Sequence, residues 1–300
     1  MLLDLSVLTG RSLIALMLGR LRMSTLEALS SYNKLAEGIF CKANQKSSGK
    51  DGTFKATVLE KKVQEIVALR GLGEHMLPIN EHDQGLARCF VCAVPALNMD
   101  HPRLFRSYPV RENASMNCKI WEAARATTAA PTFFKRMKIC DEGGAQEDFL
   151  DGGLGFNNPS KQVLDEALAI FGTDSKLGCL ISLGTGHPDV IRLDRPDAFQ
   201  KFLPIDLIKT LKKIATNSEQ IAHQVAKQFQ HSSNLYFRLN VSHGLSNISL
   251  EEWKKMNEVQ THTKSYLSGV EVSRAIDNVV SNIAKSKNVD ASKPLLQSIC

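Results

Sequence analysis

The residues most able to do chemistry in this chain are Asp151, Gly152 and Gly153. Asp151 ends a short apolar stretch, Phe149-Leu150, and two glycines follow it. A carboxylate at the end of a strand can serve as a general base. Glycines after it permit backbone angles that other residues resist, and they let a second segment approach closely. The plain alternative is a tight turn, because Asp-Gly is a common turn dipeptide. A base needs a nucleophile whose proton it takes. Ser12 is the serine that comes nearest to a nucleophile pattern, in Gly10-Arg11-Ser12-Leu13-Ile14, where Ile14 replaces the closing glycine of G-x-S-x-G. Ser12 also stands where the N-cap of an apolar helix would, and both readings stay open.

Other reactive types form no such pattern. The eight histidines show no H-E-x-x-H or paired spacing. Cys89 and Cys92 form a C-x-x-C within Cys89-Phe90-Val91-Cys92-Ala93-Val94, which reads as a buried strand, with no second pair to complete a zinc site. The seven cysteines are odd in number and scattered, a poor match to a disulfide framework and a better fit to a reducing, cytoplasmic setting. Gly153-x-Gly155 and Gly184-x-Gly186 are turn glycines, since neither completes a dinucleotide fingerprint. No metal or cofactor is expected.

The elements that must position Asp151 follow from periodicity and turn signals. An apolar helix begins at Leu13, and Ser24-Thr25-Leu26-Glu27 is a capping box that opens another. A third helix runs from Ala56 to Leu69 and ends near Gly71. Arg88 to Leu97 reads as a buried strand, and Tyr108 to Arg111 as a short edge segment. Met116 to Thr128 is a helix with Ile120, Trp121, Ala124 and Thr127 on one face, stopped before Pro131. After the Asp151 turn, Asn158 caps a helix with Pro159 in its first position. Cys179 to Leu183 is a strand ended by Gly184-Thr185-Gly186, and the alternation indicates an α/β fold. Beyond residue 190 the pattern is mostly helical: Ile205–Phe229, a helix after the Ser249-Leu250-Glu251-Glu252 capping box, and Glu271–Ala284, with Leu235–Leu239 as a last strand.

Composition sets outer limits. At 43% hydrophobic and 23% charged, 300 residues suit a folded globular chain. A net charge of +6 favours contact with anionic surfaces such as lipid headgroups, and no nucleic-acid motif accompanies it. The lysines at 209, 212, 213 and 227 form either a solvated helix face or a membrane-docking one. The Met1 segment is a poor secretory signal, and Leu13–Leu18 is too short to span a bilayer.

Three further segments surround the Asp151 turn in order. Upstream stands Ala123-Ala124-Arg125-Ala126-Thr127-Thr128-Ala129-Ala130-Pro131-Thr132-Phe133-Phe134; downstream stand Gly155-Phe156-Asn157-Asn158-Pro159 and Ile181-Ser182-Leu183-Gly184-Thr185-Gly186. The ordered set resembles the patatin-like phospholipase family, with its "ARATSAAPTYF" helix, D-G-G or D-G-A turn, "NNP" helix start and "SLGTG" strand. The resemblance covers about residues 1–290. It is closest to fungal members, on Tyr236 through Val259.

The resemblance implies a three-layer α/β fold, a central mostly parallel sheet between helices. It implies one domain over 1–290, with a core over 1–190, a mostly helical part over 191–290 and a frayed tail at 291–300. The implied chemistry is hydrolysis of lipid acyl esters by a Ser-Asp dyad without a triad histidine. The substrate would be a phospholipid, lysophospholipid or glyceride, met by peripheral contact with a membrane surface, and Asp151 takes the position of the base.

The rest of the family's machinery does not match. Its serine elbow reads like "GTSTGGLIALMLG", and the match here resumes only at Leu13-Ile14-Ala15-Leu16-Met17-Leu18-Gly19. Counting back puts Thr9 in the serine's place, with Val7 and Arg11 in place of glycines. The oxyanion loop G-G-G-x-R-G and the first strand are also missing, so the domain is expected to be N-terminally incomplete. Loss of one oxyanion donor costs about 10²–10³ in rate. Loss of a nucleophile costs on the order of 10⁶. The chain as written is therefore expected to have little hydrolase activity. An incomplete reading of the gene explains the abrupt resumption at Leu13 better than a degenerate paralogue does. The alternative function is a non-catalytic lipid- or protein-binding module. Oligomeric state is not specified by the sequence.

Overall fold

The computed structural model describes residues 9–46, 52–77, 87–110, 116–141, 143–186, 218–232, 234–245, 248 and 251–285. The chain forms two compact units, divided between Pro159 and Ser160. The change of character expected near residue 190 lies outside the described residues, as do Lys209, Lys212, Lys213, Ser249, Leu250 and the tail at 291–300.

The first unit opens with α1 (Thr9–Ala15), which runs into a π-helical turn over Leu16–Arg20. α2 (Thr25–Phe40) starts on the expected capping box: Ser24 accepts from the Glu27 amide, and the Glu27 carboxylate accepts from the Ser24 amide. α3 (Ala56–Arg70) buries Ala56, Leu59, Val63 and Val67, a helical stripe at spacings of three and four. It stops at Gly71, whose φ of +64° is the left-handed conformation glycine adopts without penalty. Arg20 ties α1 to the end of α3. It is 4% exposed, and its guanidinium donates to the carbonyls of Leu72, His75 and Met76.

Four strands follow: β1 (Phe90–Pro95), β2 (Arg103–Arg106), β3 (Met137–Cys140) and β4 (Gln146–Asp151). They form one sheet in the order β2-β1-β4-β3, and every pairing is antiparallel. This differs from the mostly parallel sheet expected. The connections explain two of the three pairings: residues 96–102, between β1 and β2, and 141–145, between β3 and β4, are hairpin lengths, too short for a parallel crossover. The edge segment was expected at Tyr108–Arg111, of which Arg111 lies outside the described residues; the edge strand is Arg103–Arg106, because the hairpin register pairs Phe90 with Arg106 and Ala93 with Arg103. Tyr108 is buried just beyond the strand, and Pro109 has no amide to donate to a ladder.

β1 is buried along its whole length, as a strand covered on both faces must be. α4 (Ile120–Thr127) packs on β1, β4 and α3, and buries Ile120, Ala123, Ala124, Ala126 and Thr127. The core joins Leu13, Leu16, Leu59, Val91, Ile120 and Phe149. Phe105 and Phe149 meet edge to face at 5.3 Å across the sheet. The unit closes with α5 (Gly153–Phe156), one turn directly after β4.

The second unit contains α6 (Ser160–Phe171), β5 (Leu180–Leu183), a helix over residues 218–228 (α7), β6 (Tyr236–Leu239), α8 (Met256–Leu267) and α9 (Val270–Lys285). β5 and β6 pair in parallel, Leu180 against Tyr236 through Leu183 against Leu239, with enough chain between them for a crossover. Strands and helices together bear out the α/β class.

Candidate active site

Asp151 is the last residue of β4 and pairs with Ala93 on β1. Its backbone is fixed before its side chain does anything. Its amide donates to the Ala129 carbonyl at 3.1 Å, and the next amide, of Gly152, reaches the Thr127 carbonyl at 3.4 Å. The end of α4 and the segment after it therefore hold the turn on one side. β1 holds it on the other.

Gly152 answers the question of why a glycine follows. Its φ of −58° and ψ of −26° are ordinary right-handed angles, so backbone freedom is not what this position needs. A Cβ here would lie 2.2 Å from the Cys92 carbonyl oxygen. Gly152 is needed for close approach, the second of the two reasons given by the sequence.

The Asp151 side chain is 3% exposed. Oδ1 accepts from the Gly153 amide at 2.6 Å, and Oδ2 has no hydrogen-bond partner among the described residues. Burial removes water from the charged form and pushes the carboxyl up to about 7, with the Gly153 amide pulling weakly the other way. A carboxyl poised there changes charge in the range where a general base works.

Ser12 lies inside α1, not at its N-cap, because the helix already begins at Thr9. It is fully buried. Its Oγ is 2.9 Å from the hydroxyl of Thr127, and that same hydroxyl is 2.6 Å from the Cys92 carbonyl oxygen. Ser12 and the Asp151 turn are thus brought to one region through Thr127 and Cys92, though no direct bond joins Ser12 to Asp151.

Two buried residues here were not singled out from the sequence as site residues. Thr127 was read as part of a helix face and of the motif upstream of Asp151. Arg125 was read only as part of a motif, yet it is fully buried: it donates to Glu60 at 3.2 Å and to the Lys135 carbonyl at 2.6 Å, and lies 5.6 Å over the Phe134 ring. A charged residue in the middle of an alanine-rich helix face was the available signal, since arginine is buried only when paired.

Cys89 and Cys92 are buried on and beside β1, and among the described residues no group of three His, Cys, Asp or Glu gathers as a metal site would require. His101 is exposed, whereas His82 and His187 lie outside the described residues.

A family model for patatin-like phospholipases matches residues 12–164, just over half of the chain and all of the elements that hold Asp151. The chain belongs to the patatin-like phospholipase family. Calcium-independent phospholipase A2-gamma of Mus musculus is 31% identical over 153 residues, covering 50% of this chain and 18% of its own length. The 85/88 kDa calcium-independent phospholipase A2 of Mus musculus is 32% identical over 134 residues, 36% of this chain and 15% of its own. Patatin-like phospholipase 1 of Plasmodium falciparum is 24% identical over 227 residues, 66% of this chain and 33% of its own. The matched chain therefore spans a third or less of each of these relatives. No helix among the described residues is long and apolar enough to cross a membrane.

Proposed function

We propose that this patatin-like chain is built for the hydrolysis of lipid acyl esters, with Asp151 as the general base of a Ser-Asp dyad. The substrate class is phospholipid, lysophospholipid or glyceride. The observation that carries the reading is the Asp151 carboxyl itself. One oxygen is fixed by the Gly153 amide, and the other is unpaired among the described residues. A base needs that division: one oxygen to set its direction, one to take a proton. The family, and relatives whose names are phospholipases, support the lipid ester as substrate. The net charge of +6 supports peripheral contact with an anionic lipid surface.

The nucleophile is where this chain departs from its family. No G-x-S-x-G occurs in the 300 residues. Ser12, the candidate from its partial match, is buried within a helix and bonded to Thr127 rather than to the base. That environment supports a packing role for Ser12. It also supports the second reading, a binding module that keeps the fold and the base but turns over substrate slowly or not at all.

An esterase assay on the purified 300-residue chain separates the two, using micellar phospholipid, lysophospholipid and glyceride, with Asp151→Asn as control. Turnover lost in Asp151→Asn supports the hydrolase and rejects the binding module. Absence of turnover rejects this chain as an enzyme in its present form. Labelling by a fluorophosphonate tests Ser12 directly: an unlabelled Ser12 in a folded sample excludes it as nucleophile.

A further inference from the structure

We propose that Thr127 is the positioning residue of the Asp151 site: its hydroxyl links α1 to β1, and its carbonyl holds the turn that carries Asp151. The inference rests on the reading of Asp151 as the base.

Thr127 closes α4 and is fully buried. Its hydroxyl lies 2.6 Å from the Cys92 carbonyl oxygen and 2.9 Å from Ser12 Oγ. A hydroxyl has one proton to give and two lone pairs to receive with. A carbonyl oxygen can only accept. The shorter contact therefore takes the Thr127 proton, and the Ser12 hydroxyl can serve as donor to Thr127. The result is a directed chain from α1 through α4 to β1.

The chain ends on the atom that matters for the turn. The Cys92 carbonyl oxygen is the wall against which Gly152 lies, 2.2 Å from where a Cβ would stand. The Thr127 carbonyl meets the Gly152 amide from the other side at 3.4 Å. One residue thus touches both surfaces between which Gly152 sits. Gly152 separates Asp151 from Gly153, whose amide orients the carboxyl. The neighbouring Thr128 does not duplicate this role, because its hydroxyl bonds to the Ala124 carbonyl within its own helix.

The full chain with ¹³C-labelled aspartate tests the proposal, with Asp151→Asn assigning the Asp151 carboxyl signal. Two quantities are read: the pH midpoint of that signal and the exchange rate of the Gly153 amide. Thr127→Val keeps the side-chain shape and removes the hydroxyl. It is expected to lower the midpoint by about one pH unit, as a looser turn admits water. Gly153 exchange is expected to rise about tenfold, the change produced by about 1.4 kcal/mol of easier opening. Thr127→Ser restores the hydroxyl and is expected to restore both values. A Thr127→Val chain with wild-type midpoint and exchange overturns the proposal, and so does a Thr127→Ser chain shifted as far as Thr127→Val. If Thr127→Val does not fold, Ser12→Ala breaks the α1 end of the same chain of bonds. It should move both values in the same direction, and unchanged values overturn the proposal. Failure of the base reading has a separate signature: a wild-type midpoint in the ordinary carboxylate range, with the Gly153 exchange comparison still deciding the role of Thr127.

Discussion

The amide of Gly153 donates to Oδ1 of Asp151 at 2.6 Å, two residues along the same turn, while Oδ2 faces no partner among the described residues. One amide bond does not offset full burial, so the carboxyl sits at about 7 rather than its usual 3.8.

A pH dependence follows from that inequality. The native state holds the Asp151 proton to higher pH than the unfolded chain does. The contribution to stability is therefore complete below about pH 4 and is lost as pH rises through about 7. Denaturant unfolding from pH 5 to pH 8 should show stability falling with pH, and Asp151→Asn should flatten that component. Any Asp151-dependent turnover should run the opposite way, rising through about pH 7 as the base loses its proton. A wild-type chain whose stability profile matches Asp151→Asn would contradict the raised carboxyl.

Gly152→Ala should destabilise the first unit for steric reasons alone. The backbone angles suit alanine, but the added Cβ meets the Cys92 carbonyl at 2.2 Å. Overpacking of this kind costs about 1–3 kcal/mol. Urea unfolding measures it. A cost below about 0.5 kcal/mol would mean that the turn can retreat from β1 freely.

The Arg125–Glu60 pair should respond asymmetrically. Arg125 is fully buried, whereas the Glu60 side chain is 22% exposed. Removing Glu60 leaves a buried guanidinium without its charge partner, a loss of about 3–5 kcal/mol when a buried pair is broken. Removing Arg125 as Arg125→Met leaves a carboxylate that can turn toward water. Chemical denaturation should therefore show Glu60→Ala costing more than Arg125→Met. The reverse order would place the energetic weight on the packing of Arg125 against Phe134.

The thiols should separate by burial. Burial pushes Cys89 up to about 11 and Cys118 up to about 12, so neither forms the reactive thiolate at neutral pH. Cys140 is exposed on the edge strand β3. In a time course with an alkylating reagent, read by peptide mass, Cys140 should be modified first among the described cysteines. Cys89, Cys92 and Cys118 should follow only on unfolding.

The sequence by itself determined the features that depend on near neighbours. The α2 capping box, the α3 stop at Gly71, the buried run Phe90–Pro95 and the helix that ends at Thr127 are local. Each rests on residues within a turn or two of one another. Asp151 was legible for the same reason, as an acid between an apolar strand and two glycines. The family followed from the order of those local signals along the chain. What the tertiary structure decided was everything set by segments far apart in sequence. Strand direction was one case, since hairpin lengths and cross-strand register made the first sheet antiparallel. The start of α1 was another: Ser12 resembled a cap until the fold buried it against Thr127, 115 residues away. The reason for Gly152 was a third. Its angles are ordinary, and only the Cys92 carbonyl, brought alongside by β1, excludes a side chain there. Local propensity fixes short-range geometry, but burial and close approach belong to the assembled core, and they set the charge of Asp151.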